Sequence, residues 1–212
     1  MKYPVTWIVF DWDGVISDSF DQAYASNMRI LDLFDKKTMT LEVYRREAKP
    51  SMVGFMRDQG ITASDDSLIA MHQAIYKQLV NEGIFPTVYP GAREALQKVH
   101  DMGKPMIVLS AHHSDNLLEE AMGYEVDGMF EDMIGSCRDK EHGLKQLCRS
   151  NGHNPTTGIY VGDTIGDIQA ARGAGMLSAA VCNGYQDRNT LMHENPTLPL
   201  LDSVTELPNW IR

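Results

Sequence analysis

The chain's 212 residues, 43% hydrophobic and 23% charged, suit one large folded domain or a medium domain with an insertion, and argue against disorder. Its formal charge of −10, from 19 basic and 29 acidic residues, argues against general binding to nucleic acid or anionic membranes, while permitting a small basic pocket for an anionic substrate. The 3 cysteines (Cys137, Cys148 and Cys182) are odd in number and lack close ligand spacing, which argues against a disulfide framework or a zinc site and fits a reducing cytoplasm.

The first apolar run, Val5–Phe10, reads as a strand. It is too short for the apolar region of a signal peptide and ends at acidic Asp11, so no secretory leader is expected; no stretch reaches bilayer length either. From about Ser17 to Val88 no buried strand is evident. The pattern there predicts helices over Asp21–Phe34, Leu41–Glu47, Met52–Gln59 and Ser67–Glu82. Tyr89-Pro90-Gly91 then starts a different rhythm. A helix over Ala92–Met102, with Ala95, Leu96 and Val99 on one side and Gly103 as its stop, precedes a strand over Pro105–Ser110. A helix over Lys140–Ser150, facing inward through Leu144, Leu147 and Cys148, precedes a strand over Gly158–Gly162. A helix over Asp167–Ala174 precedes a last strand over Leu177–Cys182.

The strand runs are continuously apolar, the mark of strands covered on both faces in a parallel sheet. Alternation with helices predicts a three-layer, Rossmann-like α/β core, residues 1–16 and 89–212. The helical stretch 17–88 is either an inserted α-helical cap domain or a set of helices flanking the sheet.

Chemistry concentrates where strands end. Asp11 and Asp13, in Asp11-Trp12-Asp13-Gly14, leave the end of the first strand, where parallel sheets bind ligands. Alone, this pattern is equally a solvated acidic turn. Asp163 and Asp167, in Gly162-Asp163-Thr164-Ile165-Gly166-Asp167, leave another strand, and parallel pairing can set them beside the first pair. Four carboxylates at one sheet edge repel unless a cation compensates, and magnesium, which takes a few carboxylates, waters and a phosphate oxygen, fits. Asp167 is otherwise an ordinary helix N-cap or first-turn acid. Ser110, with the backbone N–H groups around Ala111, can hold phosphate oxygens or can be a plain helix-capping serine. Lys140 opens a helix, where the dipole disfavours a cation; a surface lysine is the plainer reading.

The order D-x-D-G, strand-end Ser, Lys, G-D-x-x-x-D resembles the four signature motifs of the haloacid dehalogenase superfamily. The matches are Asp11 and Asp13, then Ser110, then Lys140, then Asp163 and Asp167. Tyr89-Pro90-Gly91, Ala170–Gly175, Asn183-Gly184-Tyr185 and Asp202–Leu207 are similar to stretches of phosphoglycolate-phosphatase-like members with a first-type helical cap. Departures are Trp12 between the acids, Val15 where threonine is frequent, and Glu141 where proline often follows the lysine. Phosphonate-cleaving relatives often carry an aromatic like Trp12 but have alanine in place of Asp13, and dehalogenating members lack that acid too. Lys145 is a rival to Lys140.

The resemblance implies a phosphatase. By the same resemblance Asp11 would be the nucleophile that forms an aspartyl-phosphate, and Asp13 the acid–base group. Magnesium would be held by Asp11, the Asp13 carbonyl and Asp163, while Asp167 would orient a metal-bound water or Lys140. Ser110, Ala111 and Lys140 bind the phosphoryl oxygens. In the cap, Lys49 is the first candidate for reading the leaving group and Arg45 the second, although basic residues there are also simply solvated. The expected partner is a small phosphorylated metabolite rather than nucleic acid or membrane, with the chain a cytoplasmic monomer or homodimer. A β-phosphoglucomutase-type phosphomutase and a non-catalytic metabolite-binding module are the alternatives. Gly162 before Asp163 leans away from those mutases, which usually carry Glu-Asp.

Overall fold

The computed structural model describes residues 3–47, 51–194 and 199–212. They form two compact units, Met1–Asp18 with Thr87–Arg212, and Ser19–Pro86. The strands are β1 (Trp7–Phe10), β2 (Ser17–Asp18), β3 (Thr87–Val88), β4 (Met106–Leu109), β5 (Asp132–Ile134), β6 (Gly158–Gly162), β7 (Leu177–Val181) and β8 (Leu200–Leu201). The helices are α1 (Phe20–Leu33), α2 (Leu41–Glu47), α3 (Met52–Asp58), α4 (Asp65–Asn81), α5 (Ala92–Asp101), α6 (Ser114–Gly123), α7 (Lys140–Ser150), α8 (Ile165–Gly173), α9 (Arg188–Glu194) and α10 (Leu207–Trp210).

In the larger unit, six parallel strands run in the order β5-β4-β1-β6-β7-β8. The apolar runs are continuous because each face of the sheet has its own core. Ile8, Phe10, Met106, Val108, Ile159 and Val161 pack on one side with Leu96 and Val99 of α5 and Leu117 of α6. Trp7, Val9, Ile107, Leu109 and Tyr160 pack on the other with Leu144 and Leu147 of α7 and Ala170 and Ala171 of α8. Successive residues therefore serve opposite layers, and the three-layer α/β core follows. A separate antiparallel pair, β2 with β3, joins the two chain segments that flank the helical unit.

Two strands of the six-stranded sheet were not evident in the sequence, nor was the β2–β3 pair. β5 has three residues and begins with exposed Asp132, and β8 has two; both are sheet edges with little to bury. Helix starts also move. α8 begins at Ile165 rather than Asp167, because Thr164 caps it, and α4 begins at Asp65 because the Ser64 side chain accepts from the Ser67 N–H. Cys148 is half-buried while Leu144 and Leu147 are buried.

The helical unit, α1 to α4, buries Phe20, Ile30, Leu31, Tyr44, Phe55, Met56, Leu68 and Leu79. Tyr44 is its aromatic centre, with ring centroids 5.4 Å from Phe20, 5.5 Å from Tyr24 and 5.2 Å from Phe55. Asn27 donates to the Tyr44 hydroxyl at 2.7 Å. Arg45 lies over the Phe20 ring, 3.9 Å from its centroid, a cation–π contact. Lys49 falls outside the described residues. Among the described residues no helix is long and apolar enough to cross a membrane.

Gly158 opens β6 against the Trp7 indole, and a Cβ there would lie 2.3 Å from the ring. The indole cannot easily yield: its N–H donates to the Asn154 carbonyl at 3.0 Å and its face stacks on His153, 4.6 Å between centroids. Gly158→Ala is expected to cost about 1–3 kcal/mol by overpacking, lowering Tm by ~2–4 °C for each kcal/mol. Thermal unfolding followed by circular dichroism checks this; an unchanged Tm would show the packing around Trp7 to be soft.

Candidate active site

Three neighbouring strands, β4, β1 and β6, end side by side, and the next residues are Ser110, Asp11 and Asp163. The ladder extends one bond into this edge: the Asp11 N–H donates to the Val161 carbonyl and the Ser110 N–H to the Ile134 carbonyl, each at 2.9 Å. After Asp11 the chain turns tightly. The N–H groups of Val15, Ile16 and Ser17 all point to the Trp12 carbonyl, at 3.2, 2.9 and 3.0 Å. Gly14 has φ +75°, and a Cβ there would lie 2.1 Å from an Asp163 carboxylate oxygen. Gly184 leaves room on another side, and the Tyr185 N–H donates to Asp163 Oδ2 at 2.6 Å. Asp163 is thereby held by backbone on several sides.

Asp11, Asp163 and Asp167 are buried, at 5%, 1% and 2% exposure, and offer carboxylate oxygens within 4.8 Å of one another. Lys140, the first residue of α7, places Nζ 2.5 Å from Asp11 Oδ2 and 2.5 Å from Asp167 Oδ1. Burial pushes the Asp11 carboxyl up to about 6, against the pull of Lys140. Burial also drives Asp163 well above the ordinary carboxylate range, and repulsion from Asp167 and Asp11 adds to it. Burial works the same way on Asp167, but Lys140 and the Thr164 hydrogen bonds outweigh it and hold Asp167 low. Burial disfavours charge on Lys140 itself, yet Asp11 and Asp167 keep its pKa well above the usual lysine value. Asp167 is also a first-turn helix acid: its carboxylate and the Thr164 side chain form a reciprocal cap at the start of α8.

Ser110 does not cap a helix. α6 starts at Ser114 with His113 as its cap, and Ser110 Oγ accepts instead from the His112 N–H at 3.2 Å. Ala111 is exposed beside it. Lys145 turns away to pair with Glu141 at 2.5 Å, one helical turn back. Asp13 is not part of the three-acid group; its Oδ2 lies 3.0 Å from His112 Nδ1. Burial disfavours charge on His112, yet Asp13 and Glu120 together hold its pKa well above the ordinary histidine value. His112, Glu120, Thr164 and Tyr160 were not singled out from the sequence. Only His112 had a usable signal there: a titratable side chain two residues past a strand-end serine.

The family model for haloacid dehalogenase-like hydrolases matches residues 8–181, and the chain belongs to that family. It is 25% identical over 210 residues to a phosphoglycolate phosphatase of Synechococcus elongatus, covering 94% of this chain and 97% of that one. It is 26% identical over 216 residues to a phosphoglycolate phosphatase of Pseudomonas syringae pv. tomato, covering 96% and 79%. A haloacid dehalogenase-like family hydrolase from Streptococcus pneumoniae shares the fold, with a TM-score of 0.79 at 19% identity and coverage of 97% and 98%.

An acid whose folded pKa is raised destabilises the folded state above its ordinary range, because that state must take up a proton or carry a repelled charge. The penalty is absent below about pH 4 and grows as pH rises through that value toward the folded one. Asp163→Asn keeps an oxygen for the Tyr185 N–H and removes the charge. In excess chelator the variant is expected to melt higher than the parent at pH 8 and level with it near about pH 4. Melting curves across pH check this; a variant less stable at pH 8 would contradict the assigned repulsion.

Proposed function

We propose that the protein is a magnesium-dependent phosphatase that hydrolyses a small phosphate monoester through an aspartyl-phosphate on Asp11. The observation that carries this reading is a buried, strand-end aspartate beside a half-buried lysine and two further buried carboxylates. The donor set suits the metal: of three buried carboxylates, two share the Lys140 ammonium and Asp163 has no direct contact with it, leaving surplus negative charge among hard oxygen ligands. Asp11 and Asp163, with the Asp13 carbonyl, would hold magnesium, which when bound neutralises phosphate charge and lets two anions approach. Asp167 would orient Lys140 and the metal's water.

The residues' own chemistry follows. An Asp11 carboxylate oxygen attacks phosphorus as the bond from phosphorus to the leaving oxygen breaks. The Asp13 carboxylic acid gives that oxygen its proton and becomes a carboxylate. Lys140 offsets the charge gathering on the phosphoryl oxygens, and the Ser110 hydroxyl and Ala111 N–H donate to them. Asp13 then takes a proton from water as the water oxygen attacks phosphorus, which releases phosphate and restores the Asp11 carboxylate.

Similarity to phosphoglycolate phosphatases over nearly the whole chain makes a small phosphorylated carboxylate the first substrate to test. The helical unit Ser19–Pro86 is proposed as a cap that reads the leaving group, on the strength of its insertion between Asp13 and Ser110.

Asp11→Asn is expected to abolish phosphate release and the acid-stable, hydroxylamine-sensitive labelling of the protein by labelled substrate. The parent should lose turnover in excess chelator and recover it with magnesium. Near-parental turnover by Asp11→Asn would refute the nucleophile. Product analysis separates hydrolysis from mutase chemistry, since a mutase returns an isomeric ester instead of free phosphate.

A further inference from the structure

Asp13 is tied into a second polar network, distinct from the three-acid group. His112, with a side chain only 10% exposed, sits between two carboxylates: Nδ1 is 3.0 Å from Asp13 Oδ2 and Nε2 is 3.1 Å from Glu120 Oε1. Glu120 is itself buried, at 9% exposure. Its Oε2 accepts from the Trp12 indole N–H at 2.7 Å and from the Ser17 hydroxyl at 3.1 Å. Trp12 is fixed in turn by stacking on Tyr124, 5.6 Å between centroids. The His112 backbone is pinned too: its N–H donates to Ser110 Oγ at 3.2 Å and its carbonyl accepts from the Ser136 N–H at 2.6 Å.

The plainer reading makes His112 a counter-ion for buried Glu120. It does not account for Asp13, whose side chain is 28% exposed and needs no protein partner to stay solvated. A carboxylate on a turn, with two rotatable bonds, has several orientations open to it, whereas a proton donor is effective in a narrow range of them. His112 removes that freedom.

We propose that His112, braced by Glu120, is a positioning residue that fixes the Asp13 carboxyl for proton transfer to and from the leaving oxygen. This rests on the reading of Asp13 as the acid–base group. It also makes a distinctive demand. A residue that works through Asp13 matters only where the leaving oxygen needs a proton. Alkyl phosphates, with strongly basic leaving oxygens, should feel its loss; an activated aryl ester such as a nitrophenyl phosphate should feel it far less.

The test compares kcat/KM, which reports leaving-group departure, for 2-phosphoglycolate and for nitrophenyl phosphate with magnesium present. His112→Ala is expected to lose about 10- to 100-fold on the alkyl ester and roughly threefold or less on the aryl ester. His112→Asn, whose amide nitrogen can stand near Nδ1 and donate to Asp13, should recover most of the alkyl activity. Glu120→Gln should show the same leaving-group bias in weaker form, and it carries the test if His112→Ala fails to fold. Asp13→Ala, measured alongside, separates the two readings. No leaving-group bias in Asp13→Ala would overturn the acid–base assignment and this inference with it. A strong bias in Asp13→Ala, with parental ratios in the His112 and Glu120 variants or equal losses on both esters, would overturn this inference alone.

Discussion

The pairing of one ammonium with two buried aspartates organises the strand edge of this protein, and the helix that delivers it is built for that purpose. Lys140 occupies the first position of α7, where the helix dipole costs a cation roughly 0.3–1 kcal/mol. Side chains in a helix lean toward its N-terminus, so a lysine at the first position reaches past the helix end to the carboxyl ends of β1 and β6. Lys145, five residues on, cannot; it pairs with Glu141 on the helix surface. Asp139 accepts from the His142 N–H at 2.9 Å, satisfying the helix start with a carboxylate and freeing Lys140 to serve the sheet.

What Lys140 leaves uncompensated is decided by how closely the backbone crowds the acids. At the end of β6, Gly162 has no room for a Cβ, which would lie 2.2 Å from the Cβ of Asp167. The Asp167 carboxylate therefore folds back to accept from the Thr164 N–H at 3.0 Å and the Thr164 hydroxyl at 2.6 Å, while Lys140 takes its other oxygen. Asp167 is thus lowered in pKa while Asp163, which receives a backbone N–H but no direct ammonium contact, is raised. Two carboxylates four residues apart acquire opposite tendencies from their partners, and the one without a cation of its own marks where positive charge is missing.

Much of this was legible in the sequence, and the physical reasons for the rest are specific. Continuous apolar runs announced β1, β4, β6 and β7 because double burial leaves no alternation to hide them. β5 and β8 were silent because edge strands of three and two residues carry too few apolar side chains to form a pattern. The start of α8 was placed late, at Asp167, because the capping role of Thr164, which Asp167 reciprocates, was not read from the sequence. Spacing alone offered Ser110 a capping role that is excluded because α6 starts only at Ser114, with His113 as its cap. The His112–Glu120 contact joins residues from a loop and a helix interior, eight apart with no shared periodicity, and no one-dimensional pattern encodes it. Lys49, read as a leaving-group contact, lies outside the described residues.

The sequence presents four carboxylates as a single crowd, and the structure divides them. Alternate residues of Asp11-Trp12-Asp13 face different networks. Asp11 turns to Lys140, Asp13 turns to His112, and Trp12 spans both, its backbone N–H on Asp11 Oδ1 at 2.8 Å and its indole N–H on Glu120. The division changes the electrostatics. Asp13 and Glu120 share an imidazole whose two nitrogens each face a carboxylate oxygen, so that pair carries its own counter-charge. Asp11 and Asp167 share one ammonium, Asp163 has no direct contact with it, and the three are left with the larger deficit. A cation drawn to this edge is therefore drawn to the Asp11 side, and Asp13 keeps an imidazole partner instead. The two neighbouring aspartates are thus set in different electrostatic surroundings by one tryptophan and by which basic side chain each acid meets.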